Sequence, residues 1–316
     1  MVRPQWVSRR FNNLMQATLL LSGMGGVMVL LGWMLAGPVG IWYGLLLGVA
    51  MLLMPRASPQ LILSMYQARK LSPEEAPGLY SVMEQLMRRT GNPTVPRMYY
   101  IPSSLLNAFT LGTRRRPLVA VTDGLLRGLT PSEVVAVLAH EMSHIRHNDM
   151  WIMSLADGVT RIIGTMAFVG QVLLLVNLPL VLIQGHGIPW VPILVLLAAP
   201  TVSALLQLSL SRNRELDADL EAARITGDPL ALASALEKLE VAQQRLWERL
   251  FLPGRRMPDP SLLRSHPKTE QRVARLREMA AETRMGITTP AQWMGSEADR
   301  GPVTDRPRRR WHGMWY

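Results

Sequence analysis

Two stretches of this chain, Phe11 to Pro55 and Ile162 to Ser211, contain no Asp, Glu, Lys or Arg. A soluble core helix keeps one face for water and rarely runs so far without a charge. Each stretch is about twice the ~20 residues that cross a bilayer core as a helix. Turn formers interrupt both, Gly37-Pro38 in the first and Gly185-His186-Gly187-Ile188-Pro189 in the second. The pattern predicts four transmembrane helices in two hairpins. The first apolar segment is too long for the core of a cleaved leader and runs on into a second span, so it is expected to stay as an anchor.

Lys and Arg fall in the N-terminal residues, between the two stretches and after Arg212, while both interhelical turns lack them. The positive-inside rule then puts the turns outside and the remainder of the chain on the cytoplasmic side. Absence of cysteine agrees with a compartment where disulfides are not used. The net charge of +11 is read as contact with anionic lipid headgroups, not nucleic acid. Asp157 and Arg161, one turn apart at the mouth of the third span, are expected to pair.

Between the apolar stretches lies His140-Glu141-Met142-Ser143-His144. Thr130, Pro131 and Glu133 make a helix start with a capping box, and Val134, Val135, Val137 and Leu138 supply a buried side. On that helix two imidazoles four residues apart share a face and can grip one Zn2+, while Glu141 is placed to act on water as a general base. A hydrolytic zinc site needs a third protein ligand. Ser211-Arg212-Asn213-Arg214-Glu215-Leu216-Asp217-Ala218-Asp219, if helical, puts Glu215 toward the metal and Asp219 toward the outer N–H of a ligand histidine. His147 and Asp149 are rival third ligands. Asp149 also suits the cap of a helix beginning at Met150.

The remaining segments read as a helix opened by Ser72, Pro73 and Glu75, and strands over Arg97–Ile101, Asn107–Gly112 and Pro117–Thr122. Asn107, Ala108 and Phe109 are expected on a sheet edge beside the metal, where a peptide can add as a further strand. Asp228 caps a helix over Leu230–Leu250, a Pro- and Arg-rich loop follows, and a last helix ends near Thr283. His266 is a candidate donor to the oxyanion, and Arg272 a candidate to orient a substrate carbonyl or carboxylate.

These residues resemble the HtpX-type membrane zinc metallopeptidases of bacteria, relatives of the CAAX prenyl endopeptidase. The likeness runs from about Arg3 to Met279. It is carried by Asn107-Ala108-Phe109, by Val119 to Thr122 before Gly124-Leu125-Leu126, by His140 to Ile145 with Asp149, by Ser211 to Glu215 with Ala218-Asp219, and by His266-Pro267. It implies a zinc metalloendopeptidase of the bacterial inner membrane, facing the cytoplasm and acting in protein quality control. His140, His144 and Glu215 would be its ligands, Glu141 its base, and His266 with Arg272 its further active-site groups. Thr110-Leu111 departs from the smaller residues such relatives carry there.

The expected fold is an α+β membrane protein: a mostly helical, zincin-like catalytic domain with a small β-sheet, plus the four membrane helices. Its expected segments are a basic N-terminus (1–10), the first hairpin (11–55), a leading catalytic segment (56–151), the second hairpin (152–210), a trailing catalytic segment (211–283) and a basic tail (284–316). Substrates are expected to be polypeptides, membrane proteins in particular. A processing protease with few clients, or a non-catalytic membrane chaperone, are the alternative functions.

Overall fold

The structure, a computed structural model, describes residues 4–53, 59–90, 94–184, 188–251 and 269–285. In chain order its elements are α1 (Pro4–Leu53), α2 (Pro59–Met65), β1 (Arg69–Lys70), α3 (Pro77–Thr90), β2 (Arg97–Ile101), β3 (Ala108–Thr113), β4 (Arg116–Thr122), α4 (Asp123–Gly128), α5 (Pro131–His147), α6 (Asp149–Ile183), α7 (Trp190–Thr226), α8 (Pro229–Phe251) and α9 (Thr269–Met285). They form two units, Met1–Arg56 with Trp151–Asn213, and Ala57–Met150 with Arg214–Tyr316.

The described residues of the first unit are almost entirely helical and mostly apolar. Three helices among the described residues are long and apolar enough to cross a bilayer, covering Met15–Ala50, Asp149–Leu180 and Trp190–Thr226, where the sequence predicts four spans. The difference lies in α1, whose helical geometry breaks only at Ala36 (φ −148°, ψ 25°) and Gly37 (φ 60°, ψ −145°). Such positive φ with extended ψ is open to glycine and closed to residues with a Cβ. Beyond it the chain doubles back. A Cβ added to Gly40 would stand 1.9 Å from the Gly32 carbonyl oxygen, and one added to Gly44 would meet Met28. Residues eight apart in an unbroken helix lie about 12 Å apart, so 4–35 and 38–53 are antiparallel arms joined by a two-residue reversal. Glycine at the crossing lets the two backbones touch.

Met28 and Leu31 pack with Ile162, Ile163 and Ala167 of α6 and Leu196 and Ala199 of α7. Ala17 and Met24 pack with Ala156 and Leu210. Thr160 and Ser203 hydroxyls meet at 3.1 Å, and Gln171 donates to the Leu196 carbonyl at 3.0 Å, satisfying polar groups between helices. Asp157 and Arg161 pair at 2.9 Å as expected. Large apolar side chains on the outside, Leu19, Trp42, Leu175 and Val191, stay 71–73% exposed, a surface suited to lipid and costly in water.

In the second unit the strands form one sheet in the order β1-β2-β4-β3, parallel between β2 and β4 and antiparallel elsewhere. The central β4 reads as a continuous apolar run because both its faces are covered. Val119 and Val121 join the main core with α3 and α5, while Leu118 and Ala120 pack with Leu63 of α2. β3 is an edge strand and begins one residue later than expected. The two-residue β1 was not anticipated; it carries no apolar pattern.

α5 runs through the middle of this core. Thr130 and Glu133 form the expected capping box with Pro131 in the first turn, and Val134 to Ala139, Met142 and Ile145 are buried. Glu133 also accepts from Ser234 Oγ at 2.6 Å and Lys238 Nζ at 2.7 Å, tying the start of α5 to α8. Ser72 and Glu75 bond reciprocally as a cap would, but α3 starts at Pro77, since these residues form a turn ahead of it. Asp228 Oδ1 accepts from the Ala231 N–H at 3.0 Å and caps α8.

Candidate metal centre

The capped start and buried face of α5 fix its rotation, so His140 and His144 emerge on one side. His140 Nε2 lies 3.1 Å from His144 Nε2. Glu215, on α7, completes the group: its Oε2 is 3.4 Å from His140 Nε2, and its Oε1 is 3.8 Å from His144 Nε2. A tetrahedral Zn2+ with bonds of about 2.05 Å separates its ligand atoms by about 3.3 Å, which these three spacings bracket. Among the described residues these three make the one His/Cys/Asp/Glu group placed to hold a metal.

Each imidazole has a carboxylate behind it. His144 Nδ1 meets Asp149 Oδ2 at 2.9 Å. His140 Nδ1 lies 3.0 Å from Asp219 Oδ1, a charged contact too skewed for an aligned hydrogen bond. Both rings are thereby held with Nε2 toward Glu215, the arrangement that fixes tautomer and orientation in metal-ligating histidines. Each carboxylate is in turn backed by an arginine. Arg214 reaches Asp149 Oδ1 at 3.1 Å, and Arg272 donates twice to Asp219, both times at 2.6 Å. Arg272, expected against a substrate carbonyl or carboxylate, has its third guanidinium nitrogen 3.2 Å from Glu215 Oε2 and is buried.

Burial by itself disfavours a charged imidazole, but contact with the Asp219 and Glu215 carboxylates outweighs it and raises the His140 pKa to about 10. Four carboxylates, Glu141, Asp149, Glu215 and Asp219, face two guanidiniums, Arg214 and Arg272. With both imidazoles neutral, as metal ligands must be, the surplus is two negative charges, which a divalent cation would neutralise. Donor types, spacings, ring orientation and charge all fit Zn2+.

Glu141, one residue from His140, accepts from Thr110 Oγ1 of β3 at 2.7 Å. Ala108 and Phe109 stand on this edge strand, with Asn107 just before it donating its N–H to Thr122 Oγ1 at 3.0 Å. His147, a rival third ligand in the sequence, is turned away: its Nε2 pairs with Glu221 at 2.9 Å and its Nδ1 meets Ser143 Oγ at 3.3 Å. Glu221 also pairs with Arg146. Asp149 is no ligand either; its place behind His144 was missed. Asn148 ends α5 in the left-handed conformation (φ 57°, ψ 34°) and turns the chain so that the next side chain points back at His144. The Asn-Asp pair after the motif was the available signal. His266 and the tail beyond Met285 lie outside the described residues.

Residues 73–280 match the model of peptidase family M48. The chain is 36% identical over 274 residues to a protein described as protease HtpX homolog from Acaryochloris marina, spanning 81% of this chain and 86% of that one. It is 35% identical over 291 residues to another so described from Persephonella marina, spanning 86% and 98%. The crystal structure of S. mikatae Ste24p superposes with a TM-score of 0.46 at 20% identity, covering 87% of this chain and 66% of that one. The chain belongs to peptidase family M48 and is an HtpX-type membrane metallopeptidase.

Proposed function

We propose that the chain is a zinc-dependent endopeptidase that hydrolyses peptide bonds of misfolded or damaged membrane proteins at the cytoplasmic face of the bacterial inner membrane. One observation carries the reading: His140, His144 and Glu215 converge within 4.8 Å, with Glu141 adjacent on the same helix as the histidines. Those three residues would hold one Zn2+ per chain, which when bound would supply a Lewis acid for the scissile carbonyl and a bound water more acidic than bulk water. Glu141 takes the proton of the attacking water and passes it to the leaving amine, so no acyl-enzyme forms. Asp149 and Asp219 keep the rings aimed, and Arg214 and Arg272 hold those two carboxylates. Asn107, Ala108 and Phe109 receive the peptide as an added strand. His266 donates to the oxyanion.

Main-chain recognition along a strand edge reads backbone more than side chains, which suits an enzyme with many clients. The two arms of α1 with α6 and α7 make four spans in two hairpins. Both connecting turns lack Lys and Arg, which favours placing them outside and the catalytic residues inside.

The test is purified protein in detergent, given several unrelated unfolded membrane proteins. The unsubstituted protein should contain one zinc per chain and cut most of them. Glu141→Gln should keep zinc and melting temperature yet cleave none. Cleavage retained in Glu141→Gln overturns the assignment of the base, and cleavage of a single client favours a processing role.

A further inference from the structure

Thr110 sits on the edge strand β3, paired with Val119 across the antiparallel ladder. Strand alternation divides the neighbours of Thr110 between two faces. Phe109 and Leu111 pack with Leu63 and Leu118, whereas Ala108 packs on the core that contains α5. Thr110 shares the α5 face with Ala108, and its hydroxyl donates to Glu141 Oε2 at 2.7 Å. The contact joins the strand proposed to receive the peptide to the side chain proposed to move the proton.

Building on the endopeptidase reading above, we propose that Thr110 is a positioning residue, whose hydroxyl fixes the carboxylate of Glu141 relative to a peptide on β3. The outermost torsion of a glutamate is broad and roughly two-fold, so an untethered carboxylate swings freely. A hydroxyl on a β-branched side chain is a stiff donor, because its χ1 is restricted and its Cα is held in the sheet. It has one proton to give, and Glu141 receives it. With Oε2 engaged by Thr110, Oε1 is the oxygen presented to the reacting water. Strand and base then keep a common frame: displacement of β3 displaces the Glu141 carboxylate with it. The proton acceptor is therefore in register whenever the peptide is.

Thr110→Val keeps shape and branching but removes the hydroxyl, and Thr110→Ser restores it. In steady-state cleavage of a quenched peptide, Thr110→Val should lower kcat about tenfold with KM within twofold, as expected when a catalytic group loses its orientation but substrate contacts persist. Thr110→Ser should recover most of that loss. A second readout uses metal-free protein: the melting shift caused by Thr110→Val should shrink when Glu141 is already alanine, because the two residues interact. Unchanged kcat in Thr110→Val overturns the proposal. So does a raised KM at constant kcat, which would make Thr110 a substrate contact, or a Ser variant as slow as Val, which would show that a hydroxyl at this position does not restore the orientation of Glu141. Additive melting shifts overturn the contact itself, independently of turnover. If the unsubstituted protein cleaves nothing while those shifts are non-additive, the endopeptidase reading fails first and takes the positioning role with it.

Discussion

Asp219→Asn removes one negative charge without changing side-chain volume, at a position 2% exposed. In the native arrangement both oxygens of Asp219 face donors: two Arg272 N–H groups at 2.6 Å and the Nδ1 side of His140 at 3.0 Å. An amide offers one oxygen and one NH2, so whichever way the substituted side chain turns, a donor meets a donor. Breaking a buried ion pair outright costs about 3–5 kcal/mol. Here Arg272 keeps Glu215 at 3.2 Å, so a loss nearer about 2–3 kcal/mol in the metal-free protein is expected on that scale. The orientation of His140 weakens as well, and changes behind a ligand histidine typically cost roughly 10–100-fold in metal affinity. Competition against a chromophoric zinc chelator at neutral pH measures that ratio, and thermal melting of metal-free protein measures the first quantity. Affinity within threefold of the unsubstituted protein, together with an unchanged melting temperature, would refute the reasoning that Asp219 aims His140.

In the metal-free protein His140 titrates near 10, above its ordinary 6.5. A group with a raised folded pKa contributes its stability fully below the unfolded value and loses it as pH rises through the folded one. Metal-free protein should therefore melt lower at pH 10 than at pH 6.5, and zinc binding in that window should release close to one proton, measurable by calorimetry in buffers of different ionisation enthalpy; no release would contradict it. Gly40→Ala should lower thermal stability in detergent by about 1–3 kcal/mol, the usual cost of overpacking, since its Cβ would collide with the Gly32 carbonyl, whereas Gly25→Ala, with nothing within 4 Å, should not. A Gly40→Ala protein as stable as the Gly25→Ala protein would mean the arms do not cross there. Glu133→Ala should cost about 2 kcal/mol, combining a lost cap with unpaired Ser234 and Thr130 donors. Urea unfolding checks it, and a loss under about 0.5 kcal/mol on the same scale would leave the α5–α8 tie without energetic weight.

What could be read from sequence was local or periodic. The capping box of α5, the four-residue histidine spacing and the apolar run of β4 each depend on neighbours within a turn or a strand, so residue order alone exposed them. The charge-free runs announced membrane helices for the same reason. What stayed hidden was set by long-range pairing. That Asp149 serves His144 depends on the left-handed Asn148. Arg272 on Asp219 joins residues 53 apart on different helices. The reversal at Ala36-Gly37 was foreseeable from Gly37-Pro38, but its tightness was not, because the Gly32 and Gly40 contact exists only once the arms are folded together.

Two borderline imidazole nitrogens and one hard carboxylate oxygen make a donor set that many first-row dications accept, with affinity rising toward copper along the Irving–Williams order. The donor set therefore carries little chemical means of refusing Co2+, Ni2+ or Cu2+, so the expected zinc occupancy of purified protein should depend on zinc supply in the producing cell. The same tolerance is useful at the bench. Co2+ exchanged into the proposed His140, His144 and Glu215 site should give visible absorption bands that follow coordination number, so inhibitor or peptide binding could be watched at the ion without any turnover.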